Sequence, residues 1–265
     1  MKHCIILSDL HCGHRVGLTH PKWHFTPPKE APHQIIKQYQ QEKILWNWFA
    51  QEIKKCSKFD WALWNGDLID GKGERSQGVE LITASRDEQS EMAIEVVKTI
   101  NADRNDFIYG TPYHTSNSGE DWEYQIAKEF SSGIQAEGHF DIEGLIVVAK
   151  HYIGNSSSPV SGATAIKSAM VKQLLWSEVG QQPRANLIIR SHIHRCISVS
   201  EPQRNQAGWV TPALQGLGSR YGARQCDGVP VTFGFLELFV HSKTDWGVKA
   251  HICPFSYQKA TVIKI

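Results

Sequence analysis

The sequence predicts an α/β fold, and three observations support that prediction. In the first half of the chain, apolar stretches of strand length alternate with amphipathic helical patterns. Beyond residue 186, short strand-like stretches are joined by turns rich in glycine and proline. The composition, with 265 residues of which 41% are hydrophobic and 21% charged, is typical of a globular protein with an ample core. Since no shift in composition marks a boundary, we expect one domain over residues 1–265.

The first half is predicted to contain strands and helices in alternation. Residues 3–8 form an apolar run that predicts a buried strand, a second strand ends at Asn65, and a third covers 107–109. Ser85-Arg86-Asp87-Glu88 fits the S-x-x-E capping box, which predicts the start of a helix. Further helices are expected at 33–55, 121–130 and 163–179, and a hairpin at 139–151.

The second half is predicted to be mostly strand, which distinguishes it from the alternating first half. Before residue 186, two loops are expected, at 12–32 and 155–162, and the first is long enough to suggest a functional role. The predicted strands cover 186–190, 195–200, 208–213, 230–240, 247–253 and 259–265.

Charge and cysteine content exclude several classes of protein. The 28 basic and 27 acidic residues leave a formal net charge of +1, which argues against a broad, non-specific nucleic-acid surface. The six cysteines are scattered without a C-x-x-C pair, so neither a zinc ribbon nor a disulfide scaffold is expected. No apolar run approaches the roughly 18 residues of a membrane span. Because Asp9 comes too early for a signal peptide, we expect a cytoplasmic protein without membrane contact.

Five apolar stretches each run directly into carboxylates or imidazoles. In an open α/β sheet, residues that follow the strands meet at one edge, where a crevice forms. Carboxylate oxygens and neutral imidazoles gathered there suit divalent metal ions. The segments are Asp9-Leu10-His11, Gly66-Asp67-Leu68-Ile69-Asp70, Gly110-Thr111-Pro112-Tyr113-His114, His151 and His192-Ile193-His194.

This ordered set of D-x-H, G-D-x-x-D, a G-x-x-x-H variant, a lone histidine and H-x-H resembles the calcineurin-like metallophosphoesterases. The resemblance extends from Asp9 to His194. It implies a four-layer α-β-β-α sandwich of two mixed sheets. It also implies a hydrolase that breaks a P–O bond with metal-bound hydroxide. Two divalent cations are then expected, with manganese favoured and iron, zinc or nickel as alternatives.

The resemblance also implies a division of metal ligands. Asp9, His11, Asp67 and His194 would hold one metal, and Asp67 would bridge to a second metal held by His151 and His192. A bridging carboxylate keeps two cations about 3.5–4 Å apart, close enough to share a hydroxide. Alternation in an extended segment would place His192 and His194 on one side and turn Ile193 towards the core.

His114 and Asp70 are the candidate catalytic residues. In the family, a histidine beside the metals protonates the leaving oxygen, and the second aspartate of G-D-x-x-D orients it. The family normally has G-N-H-[DE] with a metal-ligating asparagine, whereas this chain has Gly110-Thr111-Pro112-Tyr113-His114. Three readings therefore stay open: His114 as the acid, His114 as a ligand in place of asparagine, or Thr111 as an oxygen donor. The G-T-x-x-H variant resembles phage-encoded members.

The favoured function is a phosphodiesterase, either a nuclease or a nucleotide phosphodiesterase. Its substrate would be a phosphoester, with nucleic acid or a nucleotide as candidates. One alternative is a phosphomonoesterase, such as a protein phosphatase. Another is a catalytically inactive scaffold on the same fold that binds proteins.

Overall fold

Two mixed β-sheets lie face to face in the computed structural model, with helices on both outer surfaces. The structure describes residues 1–74, 77–117, 120–154, 162–217, 230–254 and 262. The helices are α1 (His33–Lys55), α2 (Arg86–Lys98), the single turn α3 (Pro112–Thr115), α4 (Trp122–Glu129) and α5 (Thr164–Glu178), with short 3-10 turns at Pro21–Trp23 and Pro202–Arg204.

The strands number thirteen in the described residues. They are β1 (Lys2–Leu7), β2 (Trp61–Trp64), β3 (Asn105–Ile108), β4 (Ser116–Asn117), β5 (Glu120–Asp121), β6 (Ile134–Gln135), β7 (Gly138–Ile142), β8 (Leu145–Ala149), β9 (Leu187–Arg190), β10 (Ile197–Glu201), β11 (Gln206–Val210), β12 (Gly234–Val240) and β13 (Trp246–Ile252).

The first sheet has the order β13-β12-β1-β2-β3-β6, and the second has the order β10-β11-β9-β8-β7. In the first sheet β1, β2 and β3 run parallel to one another, while β12 pairs with β1 in the antiparallel direction. In the second sheet β8 and β9 are parallel. The carboxyl ends of these five parallel strands carry the segments that hold the predicted ligands. A small β4-β5 ribbon lies outside both sheets.

Alternation along β1 shows how the layers are held together. Ile5 and Leu7 pack in the apolar core shared with α1, α2 and α4, whereas Cys4 and Ile6 pack between the two sheets. Successive side chains of a strand point to opposite faces, so one buried strand supplies both cores. A third core joins the second sheet to α5. The order of layers is therefore helix, sheet, sheet, helix, which confirms the predicted α-β-β-α sandwich.

Most predicted elements are confirmed with shifts of a few residues at their ends. The helix expected at 33–55 matches α1. Ser85 caps α2, because its hydroxyl accepts the Glu88 backbone N–H at 3.4 Å. The loop predicted at 155–162 and the strand predicted at 259–265 lie outside the described residues, apart from residues 162 and 262. Among the helices described, none combines the length and the apolar character needed to cross a bilayer.

Candidate metal centre

The six predicted ligands come from loops that follow strands of both sheets, and the structure brings them together. Ligand-type atoms lie within 4.8 Å of one another in three groups. Asp67 and His11 each belong to two of these groups, so the groups are continuous. The groups are Asp9, His11 and His194; His11, Asp67 and His114; and Asp67, His151 and His192.

A single carboxylate oxygen, Oδ1 of Asp9, lies among three imidazoles. The distances from this oxygen to Nε2 are 3.3 Å for His194, 3.8 Å for His151 and 4.0 Å for His11. The oxygen is buried, and the described residues offer it no hydrogen-bond partner. Oδ2 of the same side chain is held by the Ser8 hydroxyl at 2.7 Å. One oxygen is therefore fixed while the other is left facing the histidines.

Hydrogen bonds on the far side of the rings orient two of these histidines. Nδ1 of His151 lies 2.7 Å from the Asn65 carbonyl oxygen, and Nδ1 of His11 lies 3.0 Å from Oδ1 of Asp70. Both partners accept hydrogen bonds, so Nδ1 carries the proton in each neutral ring and the lone pair of Nε2 points inward. Metal-ligating histidines typically donate their other ring N–H to a carboxylate or a backbone carbonyl in this way.

Asp67 belongs to two of the three groups and so connects them. Its Oδ2 is 3.0 Å from Nε2 of His151. The Thr111 backbone N–H donates to Oδ1, and the Thr111 hydroxyl donates to Oδ2 at 3.2 Å. The same hydroxyl is 3.2 Å from Nδ1 of His192. Thr111 thus links the carboxylate of Asp67 to the imidazole of His192, both of which are predicted ligands.

The expectation for His192-Ile193-His194 was partly wrong. The segment is not extended, because His192 and His194 have φ of 77° and 53°. The two imidazoles join different groups, one with Asp67 and the other with Asp9. Ile193 packs against the core beneath α5, as expected. Simple strand alternation failed here because left-handed residues redirect the chain after β9.

Left-handed backbone is a shared property of the ligand loops. Asp9, His11, Asp67, His192 and His194 all have φ between 47° and 77°. Residues other than glycine adopt this conformation at a cost of about 1–2 kcal/mol each. Backbone hydrogen bonds hold two of them, from the Asp9 N–H to the Gly66 carbonyl oxygen at 2.9 Å and from the His11 N–H to the Asp67 carbonyl oxygen at 3.0 Å. Such strain persists where surrounding structure enforces it, and it concentrates at functional sites.

His114 and Asp70 lie beside this centre, but their contacts differ from the family pattern. Nδ1 of His114 donates to the backbone carbonyl of Asp70 at 2.7 Å, whereas the Asp70 carboxylate is 4.0 Å away. That carboxylate pairs with His11 instead. The rings of His11 and His114 meet edge to face, with centroids 4.6 Å apart. Asp70 therefore positions a ligand histidine with its side chain and His114 with its main chain.

Burial and close charges shift the pKa values of these groups. Burial alone would raise the pKa of Asp9, but His151 and His194 lower it to about 2. Burial would lower the pKa of His151, but Asp67 and Asp9 raise it to about 10. Burial lowers the pKa of His11 to about 4, although its hydrogen bond to Asp70 acts in the opposite sense. The carboxylates thus favour positive charge at Nε2 of His151, where a cation would replace the proton.

Three supporting residues were not found from the sequence. Glu123 in α4 is fully buried, and its carboxylate accepts the backbone N–H groups of Leu68 at 3.0 Å and Gly110 at 2.7 Å. Burial and the charge of Asp67 raise its pKa to about 8. The other two are Ser8, which holds Asp9, and Asn65, which orients His151. Glutamate is common in the first turn of a helix, so nothing in the sequence around Glu123 distinguished it as a supporting residue.

The donor set fits divalent cations. It consists of carboxylate oxygens and imidazole nitrogens, and Oδ1 of Asp9 is buried with no hydrogen-bond partner among the described residues. Buried polar atoms are normally paired, so a carboxylate oxygen that faces three imidazole nitrogens without a hydrogen bond fits a site for a cation.

Comparison with known proteins gives distant structural likenesses. No family model and no curated protein matches the chain. A single mutant of Vps29 from Entamoeba histolytica is 9% identical, with a TM-score of 0.43 over 95% of this chain and 99% of that chain. An archaeal phosphodiesterase is 12% identical, with a TM-score of 0.41 over 94% and 99%. A predicted phosphoesterase from Streptococcus pneumoniae is 10% identical, with a TM-score of 0.40 over 96% and 94%. All three TM-scores lie below 0.5, a level of likeness too low to carry a functional assignment.

Proposed function

We infer that this protein is a phosphoesterase that uses two divalent cations and prefers phosphodiesters, such as a nucleic acid or a nucleotide. The observation that carries this inference is the convergence of three imidazole Nε2 atoms on one buried oxygen of Asp9. In this proposal, residues 1–265 form one domain of the calcineurin-like type that works with Mn²⁺ in the cytoplasm.

The ligand assignment follows the groups of converging atoms. Asp9, His11 and His194 would hold one cation, His151 and His192 would hold the other, and Asp67 would be shared. When bound, two such cations supply Lewis acidity that neutralises phosphoryl oxygens and activates water. The protein's part is to keep the donors in place before substrate arrives.

His114 is the residue best placed to move a proton. Because its Nδ1 donates to a backbone carbonyl, Nε2 is the ring atom left to exchange a proton with the leaving oxygen. The side chain is half-buried, with 19% of its surface exposed, so it can meet a substrate that enters from solvent. The same atom can instead bind a cation, since His114 groups with His11 and Asp67. The two roles predict different effects of substitution.

The expectation of a nucleotide or nucleic-acid substrate gains support from Tyr152. This side chain is 61% exposed, and its ring centroid is 5.0 Å from that of His192. An exposed aromatic face at the edge of the centre can stack on a base or another flat group, an interaction worth about 1–3 kcal/mol. We therefore expect Tyr152→Ala to lower kcat/KM for thymidine 5′-p-nitrophenyl phosphate more than for methyl p-nitrophenyl phosphate. An equal effect on both esters would remove this support.

Parallel assays with added Mn²⁺ test the proposed reaction. We expect bis-p-nitrophenyl phosphate and single-stranded DNA to be hydrolysed faster than p-nitrophenyl phosphate. Faster turnover of the monoester would overturn the preference for diesters and favour a phosphomonoesterase. Absence of hydrolysis with any divalent cation would reject the enzyme and favour a protein-binding scaffold.

Asp67→Asn tests the shared carboxylate. Loss of its charge should reduce kcat/KM by roughly 10³-fold, because two cations depend on one side chain. Metal analysis of the purified variant should show at least one equivalent less than the wild-type protein. The matched control is Asp87→Asn, which changes an exposed carboxylate in the first turn of α2 and should leave both values unchanged. Full activity in Asp67→Asn would contradict the assignment.

A further inference from the structure

A second cluster of ligand-type side chains lies on the helix side of the first sheet, where α1 ends. It contains His3 of β1, Glu237 of β12, His251 of β13 and Cys56, which follows α1, and we call it the helix-side cluster. Donor atoms of Cys56, Glu237 and His251 lie within 4.8 Å of one another. None of these residues belongs to the candidate metal centre described above, which we call the strand-end centre. That centre consists of Asp9, His11, Asp67, His114, His151, His192 and His194.

Glu237 is the middle of this cluster. Its Oε1 is 2.7 Å from Nε2 of His3, and its Oε2 is 2.8 Å from Nε2 of His251. Glu237 is buried, with 4% of its surface exposed, and both histidines are buried as well. Lys249 approaches Oε2 at 3.6 Å, but that lysine is largely exposed. A buried carboxylate with a histidine on each oxygen needs positive charge close by.

A neutral His251 ring cannot supply this positive charge, because a carboxylate oxygen faces each of its two nitrogens. Nε2 faces Glu237, and Nδ1 is 3.3 Å from Oε2 of Glu52. Lys249 pairs with Glu237, and Lys55 pairs with Glu52. Both residues are therefore carboxylates, which only accept hydrogen bonds. A neutral imidazole has one proton, so its other nitrogen would point a lone pair at a carboxylate.

His3 has similar surroundings. Its Nδ1 is 3.2 Å from the Lys58 carbonyl oxygen, which can only accept, while its Nε2 faces Glu237. The Ser57 hydroxyl, 3.1 Å from Nδ1, can donate to that nitrogen instead. The cluster therefore calls for one or two positive charges beyond two neutral rings. Either protons or one divalent cation can supply them.

The donor types favour a cation. A thiolate, an imidazole and a carboxylate are donor types that zinc binds in proteins, and three such ligands leave the fourth tetrahedral position to water. The Glu52 carboxylate behind His251 matches the carboxylate–histidine–zinc arrangement, in which Nδ1–H is held and Nε2 faces the metal. We propose that Cys56, Glu237 and His251 form a second metal site that takes a zinc-class divalent cation and fastens the end of α1 to the first sheet, while His3 holds the other oxygen of Glu237.

Cobalt spectroscopy of the full-length protein tests this site. After removal of metals by a chelator, titration with Co²⁺ to saturation should give a near-ultraviolet thiolate-to-cobalt charge-transfer band with the intensity of one thiolate-bound Co²⁺ per chain. Among the described residues, the strand-end centre groups only oxygen and nitrogen donors, so it cannot produce this band. Absence of the band in protein that has bound Co²⁺ would overturn the proposal and identify a hydrogen-bonded cluster with protonated histidines.

Matched cysteine variants locate the signal. Cys56→Ser should abolish the band and lower the Co²⁺ content by one equivalent. Cys12→Ser is the control, because Cys12 is buried beside His11 and its thiol donates to the Leu18 carbonyl. Retention of the band in Cys56→Ser, or its loss in Cys12→Ser, would reject the assignment. Asp67→Asn should keep the band, which separates this site from the proposed phosphoesterase centre.

Glu52→Gln tests the orientation of His251 without touching a ligand. Loss of a carboxylate behind a ligating histidine weakens metal affinity by roughly 10–100-fold, and we expect a decrease of that size in Zn²⁺ affinity. Unchanged affinity in Glu52→Gln would contradict the proposed site.

Discussion

The strand-end centre and the helix-side cluster gather similar side chains by different means. In the centre, five ligand candidates lie in loops with left-handed backbone, at φ between 47° and 77°. In the helix-side cluster, His3, Glu237 and His251 lie within regular strands. Cys56 has an ordinary φ of −83°. One site depends on strained loops, and the other depends on the register of a sheet.

This difference has consequences for how each site tolerates change. Loop residues in strained conformations aim several donors at one point, but each depends on neighbours that hold the backbone. Strand residues need no such support, because alternation alone places Glu237 and Phe235 on the same face of β12. We therefore expect backbone-directed substitutions to damage the centre far more than the helix-side cluster.

Gly110→Ala is the backbone-directed substitution that should damage the centre most. A Cβ at this position would lie 2.2 Å from both Oδ1 and the backbone nitrogen of Asp67. The shared carboxylate must then move, and a displacement of about 1 Å can reduce activity by about 10²-fold. Hydrolysis of bis-p-nitrophenyl phosphate measures this effect.

The control for this substitution is Gly247→Ala in β13, near the helix-side cluster. A Cβ there meets no atom within 4 Å. Activity should be unchanged, and the free energy of unfolding should rise by about 0.5–1 kcal/mol, as expected when alanine replaces glycine within a strand. Equal damage from the two alanines would mean that the centre is no more constrained than an open strand position.

His114→Ala distinguishes two roles within the centre. As a general acid, His114 contributes about 10²–10⁴-fold. Its loss should then slow an alkyl ester, which has a poor leaving group, far more than a nitrophenyl ester. Metal content should stay at the wild-type value. Loss of one metal equivalent, with similar slowing of both esters, would instead make His114 a ligand.

The smallest expected effects are differences in stability between the alanine and the glycine variants of one histidine in each site. At His192, where φ is 77°, His192→Gly should be more stable than His192→Ala by about 1 kcal/mol, because glycine adopts this conformation freely. At His251, which lies in β13, the alanine variant should be the more stable by about 0.5–1 kcal/mol. Chemical denaturation of the metal-free proteins measures both differences. The same sign at both positions would contradict the contrast in backbone strain.

The fold was largely predictable from the sequence, because its signals are local. A buried strand with apolar residues on both faces, such as residues 3–8, stands out from amphipathic helical patterns such as 33–55. The capping box at Ser85 predicted the start of α2 correctly. The four layers followed from the resemblance rather than from periodicity, because strand patterns do not reveal which strands pair.

The candidate ligands could be named from their place after strands, but their geometry could not. Parallel strands end at the same edge of a sheet, so residues that follow them were expected to meet. Left-handed loops then decided which side chains share a group, and the extended conformation predicted for His192 and His194 was wrong. Loop conformation depends on contacts from elsewhere in the chain.

By itself, the sequence determined an α/β protein with Asp and His residues at the ends of its strands. Only the tertiary structure decided that Asp70 contacts His11 and that Thr111 holds Asp67. It alone brought His3 to Glu237, 234 positions away along the chain. The physical reason is that strand and helix propensities act over a few residues, whereas ligand clusters depend on packing between segments that are distant in sequence.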